Sequence, residues 1–187
     1  SFCAVLSEQE PVMTENMKLS APGDGDERGS GQNLSFRSMN VALALPISRV
    51  REIIEYGHLT AVPMMPGYVR GVINLRGNVV PVVDLAARFG GAQTVIGKRT
   101  CINILELPKK GDSALVGLVV DAVDEVLDIG PEQIEPPPSF GTAIRSDFIM
   151  GIARREQGFL IILKVDRLLD LDELMPESVT QEALVAG

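Results

Sequence analysis

The stretch Leu43 to Glu55, which reads L-A-L-P-I-S-R-V-R-E-I-I-E, occurs in the chain a second time. Its copy is Val116 to Asp128, V-G-L-V-V-D-A-V-D-E-V-L-D, in the register that sets Glu52 on Glu125. A second repeated segment follows, with Tyr68 to Ile73, Y-V-R-G-V-I, matching Phe148 to Ala153, F-I-M-G-I-A. Because the two repeats occur in the same order, they predict two similar subdomains with a surface between them.

Most of the chain reads as short apolar runs separated by turn residues. An R-G-N turn joins Gly71–Leu75 to Val79–Leu85, and a polar P-K-K-G-D turn joins Thr100–Glu106 to Ala114–Val120. Both arrangements are typical of β-hairpins, and Pro81 inside one run predicts an edge position or a bulge. The other predicted strands are Leu34–Arg37, Val41–Ile47, Arg51–Tyr56, Val123–Asp128 and Phe159–Val165. The predicted helices are short, at Leu85–Phe89 and Asp166–Leu171.

Many short strands with few helices favour small barrels over a fold of alternating strands and helices. We expect a mainly β protein with two pseudo-repeated five-stranded β-barrel subdomains around a shared hydrophobic core. The predicted domain spans residues 34–174, with interleaved subdomains at approximately 34–90 and 91–174. Residues 1–33, which end in a stretch rich in Gly, Asp and Ser, predict a flexible N-terminal tail, and residues 175–187 predict a C-terminal tail.

The composition narrows the classes of partner. The chain has 187 residues, a net charge of −8 and an apolar fraction of 45%. The negative charge argues against nucleic acid as a partner, because phosphate binding requires a basic surface. The charge is uneven, with +3 over residues 34–90 and −5 over residues 91–174, and such a difference helps to orient polar partners. Without a signal-peptide pattern or an apolar run of 18 residues, the sequence predicts a cytoplasmic protein that is not inserted in a membrane.

The sequence contains few residues that suggest catalysis. His58 is the one histidine and stands in a turn, so no His/Cys cluster is available for zinc. Gly91 to Lys98 resembles a phosphate-binding loop but has the wrong spacing. One short stretch is rich in carboxylates but lacks the spacing of a calcium loop, namely Asp121, Asp124, Glu125 and Asp128. These observations predict a binding module without enzymatic activity, metal or cofactor.

One run is more specific than the composition. Gly71 to Leu85, G-V-I-N-L-R-G-N-V-V-P-V-V-D-L, resembles the signature of the CheW family of bacterial chemotaxis adaptors. The supporting segments stand in the order found in that family, and they are Leu45–Ile54, Val62–Gly71, Val116–Val126, Pro131–Pro138 and Ile149–Ala153. The resemblance covers about Leu34 to Leu174, so neither predicted tail belongs to it.

The resemblance implies a fold of two five-stranded barrels and a non-catalytic role in signal transduction. Such adaptors couple the cytoplasmic tips of methyl-accepting chemoreceptors to the regulatory domain of the histidine kinase CheA. Two alternatives remain. One is an adaptor of a non-flagellar pathway, serving pili or development. The other, from a different class, is a small barrel that binds an apolar metabolite.

The resemblance also implies a receptor-facing surface, which would consist of Val50, Glu52, Gly71, Asn74, Arg76 and Gly77. Each role has a structural alternative. Val50 aligns with Val123 in the repeat and would then belong to the core, whereas Gly71 would mark a bulge and Arg76 would be a solvated turn residue. One departure from the family is Lys164, at a position near the end of the last strand where an aspartate is usual.

Overall fold

The structure is a computed structural model that describes residues 29–137, 144–156 and 158–174. Most of the predicted N-terminal tail, the whole predicted C-terminal tail and Pro138 lie outside these residues. The strands are β1 (Gly31–Ser38), β2 (Val41–Pro46), β3 (Val50–Glu55), β4 (Val69–Leu75), β5 (Asn78–Asp84), β6 (Cys101–Lys109), β7 (Asp112–Val120), β8 (Ala122–Ile129), β9 (Ile134–Glu135), β10 (Ile149–Arg155) and β11 (Gly158–Leu163). Three one-turn helices are α1 (Leu85–Arg88), α2 (Val165–Leu168) and α3 (Leu171–Leu174).

The strands form two sheets, and each sheet takes strands from both halves of the chain. The order is β8-β1-β2-β11-β10-β9 in the six-stranded sheet and β3-β6-β7-β5-β4 in the five-stranded sheet. The β1–β2 hairpin therefore lies among the strands of the second half, and the β6–β7 hairpin lies among those of the first. The joining pairs β2–β11 and β5–β7 are parallel, whereas the hairpins within each half are antiparallel.

The repeat seen in the sequence is also a repeat of backbone geometry. The Asp84 backbone N–H donates to the Tyr68 carbonyl over 2.8 Å, and the Lys164 N–H donates to the Phe148 carbonyl over 2.7 Å. The two hydrogen bonds are equivalent in the register of the second repeat, which sets Tyr68 on Phe148 and Asp84 on Lys164. The predicted mainly β fold with two pseudo-repeated subdomains and few short helices is confirmed.

Buried apolar residues form one large cluster between the sheets and a smaller cluster within each sheet. The large cluster takes Phe36 and Leu43 from the six-stranded sheet, and Leu105 and Leu118 from the five-stranded sheet. The smaller clusters are Ala44, Ile129, Ile134, Ala153, Leu160 and Ile162 in the six-stranded sheet, and Val80, Val82, Ile102, Ile104 and Val119 in the five-stranded sheet. Each sheet thus buries both faces, one against the shared core and one in its own concave interior, as expected for small curled sheets.

The edges of the five-stranded sheet are joined by the chain itself. After β3 the chain turns back to the free edge of β4, where Thr60 and Val72 exchange two backbone hydrogen bonds of 2.9 and 2.8 Å. In the six-stranded sheet β9 pairs with β10 in the same manner, at Ile152 and Ala153. Within the described residues, no helix is both long and apolar enough to cross a membrane.

Candidate functional site

The turn between β4 and β5 is a two-residue hairpin turn. Arg76 and Gly77 both have positive φ values, 52° and 87°, which is the geometry of the two-residue turn that matches the twist of a hairpin. The Asn74 side-chain oxygen accepts a hydrogen bond of 2.9 Å from the Gly77 N–H. Asn74, Arg76 and Gly77 therefore form one hydrogen-bonded turn, and the hairpin predicted at the R-G-N turn is present.

The Arg76 side chain reaches from this turn to the opposite edge of the sheet. Its Nη2 atom lies 3.0 Å from Glu52 Oε2 on β3, and the Arg76 side chain is 77% exposed whereas that of Glu52 is 16% exposed. The other carboxylate oxygen, Glu52 Oε1, is buried and has no hydrogen-bond partner among the described residues. The predicted site residues Glu52 and Arg76 are thus brought together as an ion pair, with the arginine on the outside.

Gly71 serves the closure of the sheet. Its φ is 148°, and a Cβ atom at this position would lie 2.5 Å from the Thr60 carbonyl oxygen. The register of β4 against β5 shifts between Val69 and Gly71, so the predicted bulge is present. Because glycine has no side chain, the backbone at Thr60 can approach β4 at this position.

Val50 lies at the start of β3 and is partly buried. It pairs with Leu105 and packs against the large cluster between the sheets. The structural alternative from the sequence, that Val50 contributes to the core, therefore agrees with its packing. Among the predicted receptor-facing residues, only Val50 and Gly71 have such a direct packing role.

The second copy contains a related ion pair that the sequence did not reveal. Glu125 on β8 lies 3.5 Å from Arg155 at the end of β10, and Glu125 is the residue that aligns with Glu52. The residue that aligns with Arg76 is Glu156, so the alignment alone misses the pair. The two pairs differ in exposure, because Glu125 is 58% exposed and Glu52 is almost buried.

A buried network behind the turn was also missed. The Asp84 carboxylate is fully buried and accepts hydrogen bonds of 2.8 Å from Arg70 Nε, Thr94 N and Thr94 Oγ1, and one of 3.3 Å from Ala87 N. It thereby caps α1 and holds the loop that contains Thr94. The Asp84 and Arg70 positions stand in or beside the signature run, but no sequence spacing predicts that they touch.

Tyr68 connects this region to α3. Its hydroxyl donates to the Glu173 carboxylate, and its ring lies beneath the Arg88 guanidinium, whose carbon is 4.8 Å from the ring centroid. Burial, followed by the hydrogen bond to Glu173, raises the pKa of Tyr68 to about 12. For metals, the described part of the chain holds no group of three or more His, Cys, Asp or Glu side chains suited to an ion.

Comparison with known proteins places the chain among chemotaxis proteins. A family model described as the CheW-like domain matches residues 32–173. The solved structure of the scaffolding protein TtCheW from Thermoanaerobacter tengcongensis superimposes with a TM-score of 0.67 and 35% sequence identity, covering 77% of this chain and 90% of that one.

Curated relatives give the same result. The chemotaxis protein CheW of Klebsiella aerogenes is 30% identical over 141 residues, which are 75% of this chain and 82% of the relative. A probable chemotaxis protein CheW of Rhizobium etli is 33% identical over 146 residues, or 78% of this chain and 92% of the relative. The protein FrzA of Myxococcus xanthus is 31% identical over 136 residues, or 72% of this chain and 82% of the relative.

Proposed function

Because the chain belongs to the CheW-like family, we propose that it is a non-catalytic chemotaxis adaptor that couples chemoreceptor tips to the histidine kinase CheA. The observation that carries the proposal is the match of the family model to residues 32–173, which includes both copies of the repeat. The similarity to a scaffolding protein over 77% of the chain supports a role in holding partners together.

We place the receptor contact on the surface around the β4–β5 turn, with Glu52, Asn74, Arg76 and Gly77. The geometry supports this placement because a side-chain hydrogen bond holds the turn and its arginine is exposed. Arginine carries five N–H donors, and the bond from Nη2 to Glu52 leaves others for a carboxylate or a carbonyl on a receptor helix. Glu52 holds the guanidinium in place, which reduces the entropy lost when a partner binds.

Val50 and Gly71 have a different part in this proposal. Val50 packs on the shared core, and Gly71 permits the Thr60–Val72 bridge. Both therefore shape the surface on which Glu52 and Arg76 lie, and the exposed part of Val50 adds an apolar contact for a receptor helix.

For the kinase, exposed apolar side chains at the hairpins are the natural candidates. Val79 on β5 and Phe159 on β11 are equivalent in the register of the second repeat and are 39% and 62% exposed. Val79 pairs with Asn74 of the proposed receptor surface, whereas Phe159 lies in the other sheet, so Phe159 is the candidate for a second, distinct contact of the kind that an extended assembly requires.

The test uses the full chain, the regulatory domain of CheA and a soluble receptor-tip fragment. NMR titration with the receptor fragment should shift the amide signals of residues 71–77, and the kinase domain should shift a different set that includes Phe159. The adaptor function would be contradicted if neither partner binds at concentrations up to about 1 mM. A dissociation constant of that size corresponds to a binding free energy of only about 4 kcal/mol.

The alternative of a non-flagellar pathway stays a proposal of its own. It is favoured by the 31% identity to the protein FrzA, which does not carry the CheW name. Binding to receptor tips from a pilus or developmental pathway, with none to tips from a flagellar pathway, would support it. The second alternative, a barrel that binds an apolar metabolite, has no comparable support from the comparisons.

A further inference from the structure

The two copies of the repeat differ at one position in a way that reverses a charge. Asp84 and Lys164 are equivalent, since each is the N-cap residue of the helix that follows the hairpin of its copy. The Asp84 carboxylate accepts from Ala87 N and so caps α1, whereas the Lys164 side chain makes no capping hydrogen bond to α2. Because a capping side chain stabilises the helix that it begins, the lysine is not explained by the stability of α2.

Lys164 lines a surface cavity at which the two copies meet. The cavity has a volume of about 440 Å³ and is lined by Arg88, Arg145, Asp147, Phe148, Lys164 and Arg167. Four of these six residues are cationic and one is acidic, which gives a local charge of +3 in a chain whose net charge is −8. An aspartate at position 164, as in the first copy, would lower that local charge to +1.

The cations are arranged around Phe148. The Arg88 guanidinium carbon lies 4.9 Å from the centroid of the Phe148 ring, and that of Arg145 lies 5.4 Å from it. The Lys164 N–H donates to the Phe148 carbonyl, and the Arg167 N–H donates to the Lys164 carbonyl over 3.2 Å. The four cationic residues thus line one cavity and come from three separate segments of the chain.

Arg88 is held in place by groups other than a carboxylate. Its guanidinium lies between the Tyr68 and Phe148 rings, which are equivalent residues of the two copies, and its Nε donates to the Leu168 carbonyl over 2.7 Å. Stacking on aromatic rings fixes a guanidinium without neutralising it. The Nη donors of Arg88 accordingly keep their capacity to bind an anion.

Three of the four cations, namely Arg88, Lys164 and Arg167, form no ion pair with a side chain that the structure describes, whereas Arg145 pairs with Asp147 over 2.9 Å. Arg167 also lines a neighbouring cavity together with Asp166, Asp170 and Asp172. Like charges gathered in a concave site repel one another, and the low dielectric of the walls strengthens their joint field. A compact anion with two negative charges relieves that repulsion.

From this geometry we propose that the cavity binds a phosphate group, either free or carried by a larger ligand. A phosphate presents several strong acceptor oxygens and close to two negative charges, which match guanidinium forks and a flexible ammonium. The volume is within the range of small-molecule sites. The site is separate from the β4–β5 turn, so this proposal stands whether or not the turn contacts receptors.

The experiment measures binding of inorganic phosphate, pyrophosphate and ATP to the full chain by calorimetry and NMR at low salt. We expect saturable binding of pyrophosphate, with shifts confined to residues 88, 145–148 and 164–168. Lys164→Asp should weaken it by about tenfold or more, as expected for the loss of a charge-assisted contact and the gain of a repulsive one. Lys110→Asp, the same change at the exposed β6–β7 turn, should leave the affinity unchanged.

Folding of each variant is checked by thermal unfolding, and Arg167→Gln provides a second test that introduces no negative charge. Equal affinity for ATP and pyrophosphate would assign recognition to the phosphate groups. The proposal is overturned by any of three results: no saturable binding at millimolar concentration, the same loss in Lys110→Asp as in Lys164→Asp, or tighter binding of a hexaglutamate peptide than of pyrophosphate.

Discussion

Arg76 and Glu52 link the two outermost strands of one sheet, with 3.0 Å between Arg76 Nη2 and Glu52 Oε2. Strands β3 and β4 stand at opposite ends of the five-stranded order, so the pair spans the opening that remains when the sheet curls. The hydrogen bonds between Thr60 and Val72 span the same opening. The proposed receptor surface is therefore built on the line along which the sheet closes.

The first prediction separates the structural and binding roles of this pair. Arg76→Glu should abolish binding to a receptor-tip fragment and lower the free energy of unfolding by about 1 kcal/mol, because it sets two carboxylates side by side. The double variant Glu52→Arg/Arg76→Glu should regain most of the stability and none of the binding. Urea unfolding and titration with the receptor fragment measure the two effects.

The matched control is Arg51→Glu, which breaks an exposed pair with Glu106 that also has a distance of 3.0 Å. It should leave receptor binding intact. If the double variant binds as well as the unchanged protein, the order of charges is irrelevant to binding, and the proposed contact is wrong.

The second prediction concerns Gly71. Gly71→Ala should lower the free energy of unfolding by about 2 to 4 kcal/mol, because the new methyl group would meet the Thr60 carbonyl and separate the chain from β4. Gly111→Ala is the control, since Gly111 also has a positive φ of 73° but no atom within 4 Å of the place that a Cβ would take. That control should cost only about 1 kcal/mol. Equal costs in urea unfolding would show that backbone conformation alone requires Gly71.

The third prediction concerns the buried carboxylate of Asp84. Asp84→Ala should destabilise the protein by about 3 to 5 kcal/mol, because it leaves the Arg70 guanidinium, 16% exposed, without its partner. The control Asp124→Ala removes the partner of Arg37 in an exposed pair and should cost less than about 1 kcal/mol. Thermal or urea unfolding compares the two variants. A loss for Asp84→Ala as small as that of the control would mean that water replaces the carboxylate at little cost.

The fourth prediction is a pH dependence that arises at Tyr68. Its pKa is raised in the folded state to about 12 from an ordinary value near 10, so the folded protein holds the hydroxyl proton more tightly than the unfolded chain. The stability that results is complete below pH 10 and is lost as the pH rises toward 12. The tyrosinate absorbance should include a component with a midpoint near pH 12, and Tyr68→Phe should remove it. Retention of that component in Tyr68→Phe would contradict its assignment to Tyr68.

The repeat and its turns made much of the fold predictable. The R-G-N turn set the register of β4 and β5, and the polar turn did the same for β6 and β7. Strand β10 was not predicted as a strand although its residues were recognised as part of the repeat. The helix expected at Asp166–Leu171 is instead two single turns, α2 and α3. Pro81 lies in β5, which is an interior strand and not the predicted edge strand. The pairing of β5 with β7 begins only at the next residue, Val82, so at Pro81 the strand has a neighbour on one side alone, β4.

The site was less predictable for a physical reason. Exposure of Arg76 follows from its place in a two-residue turn, but its partner depends on how strongly the sheet curls, and curl leaves no local pattern in the sequence. The same holds for Asp84, whose partners Arg70 and Thr94 come from opposite sides along the chain. Contacts of this kind are set by tertiary packing, and turn chemistry is set by neighbouring residues.

The exchange of hairpins between the two halves determines when the molecule can fold. Strand β1 pairs with β8 (Ala122–Ile129) and β2 pairs with β11 (Gly158–Leu163), so the β1–β2 hairpin gains its second neighbour only after residue 163 has been made. Pairings so distant in sequence slow folding, because the long intervening loop must close before the contacts form. Once formed, neither sheet can open without removing strands from the other half, so a partner that pulls on one copy also strains the other.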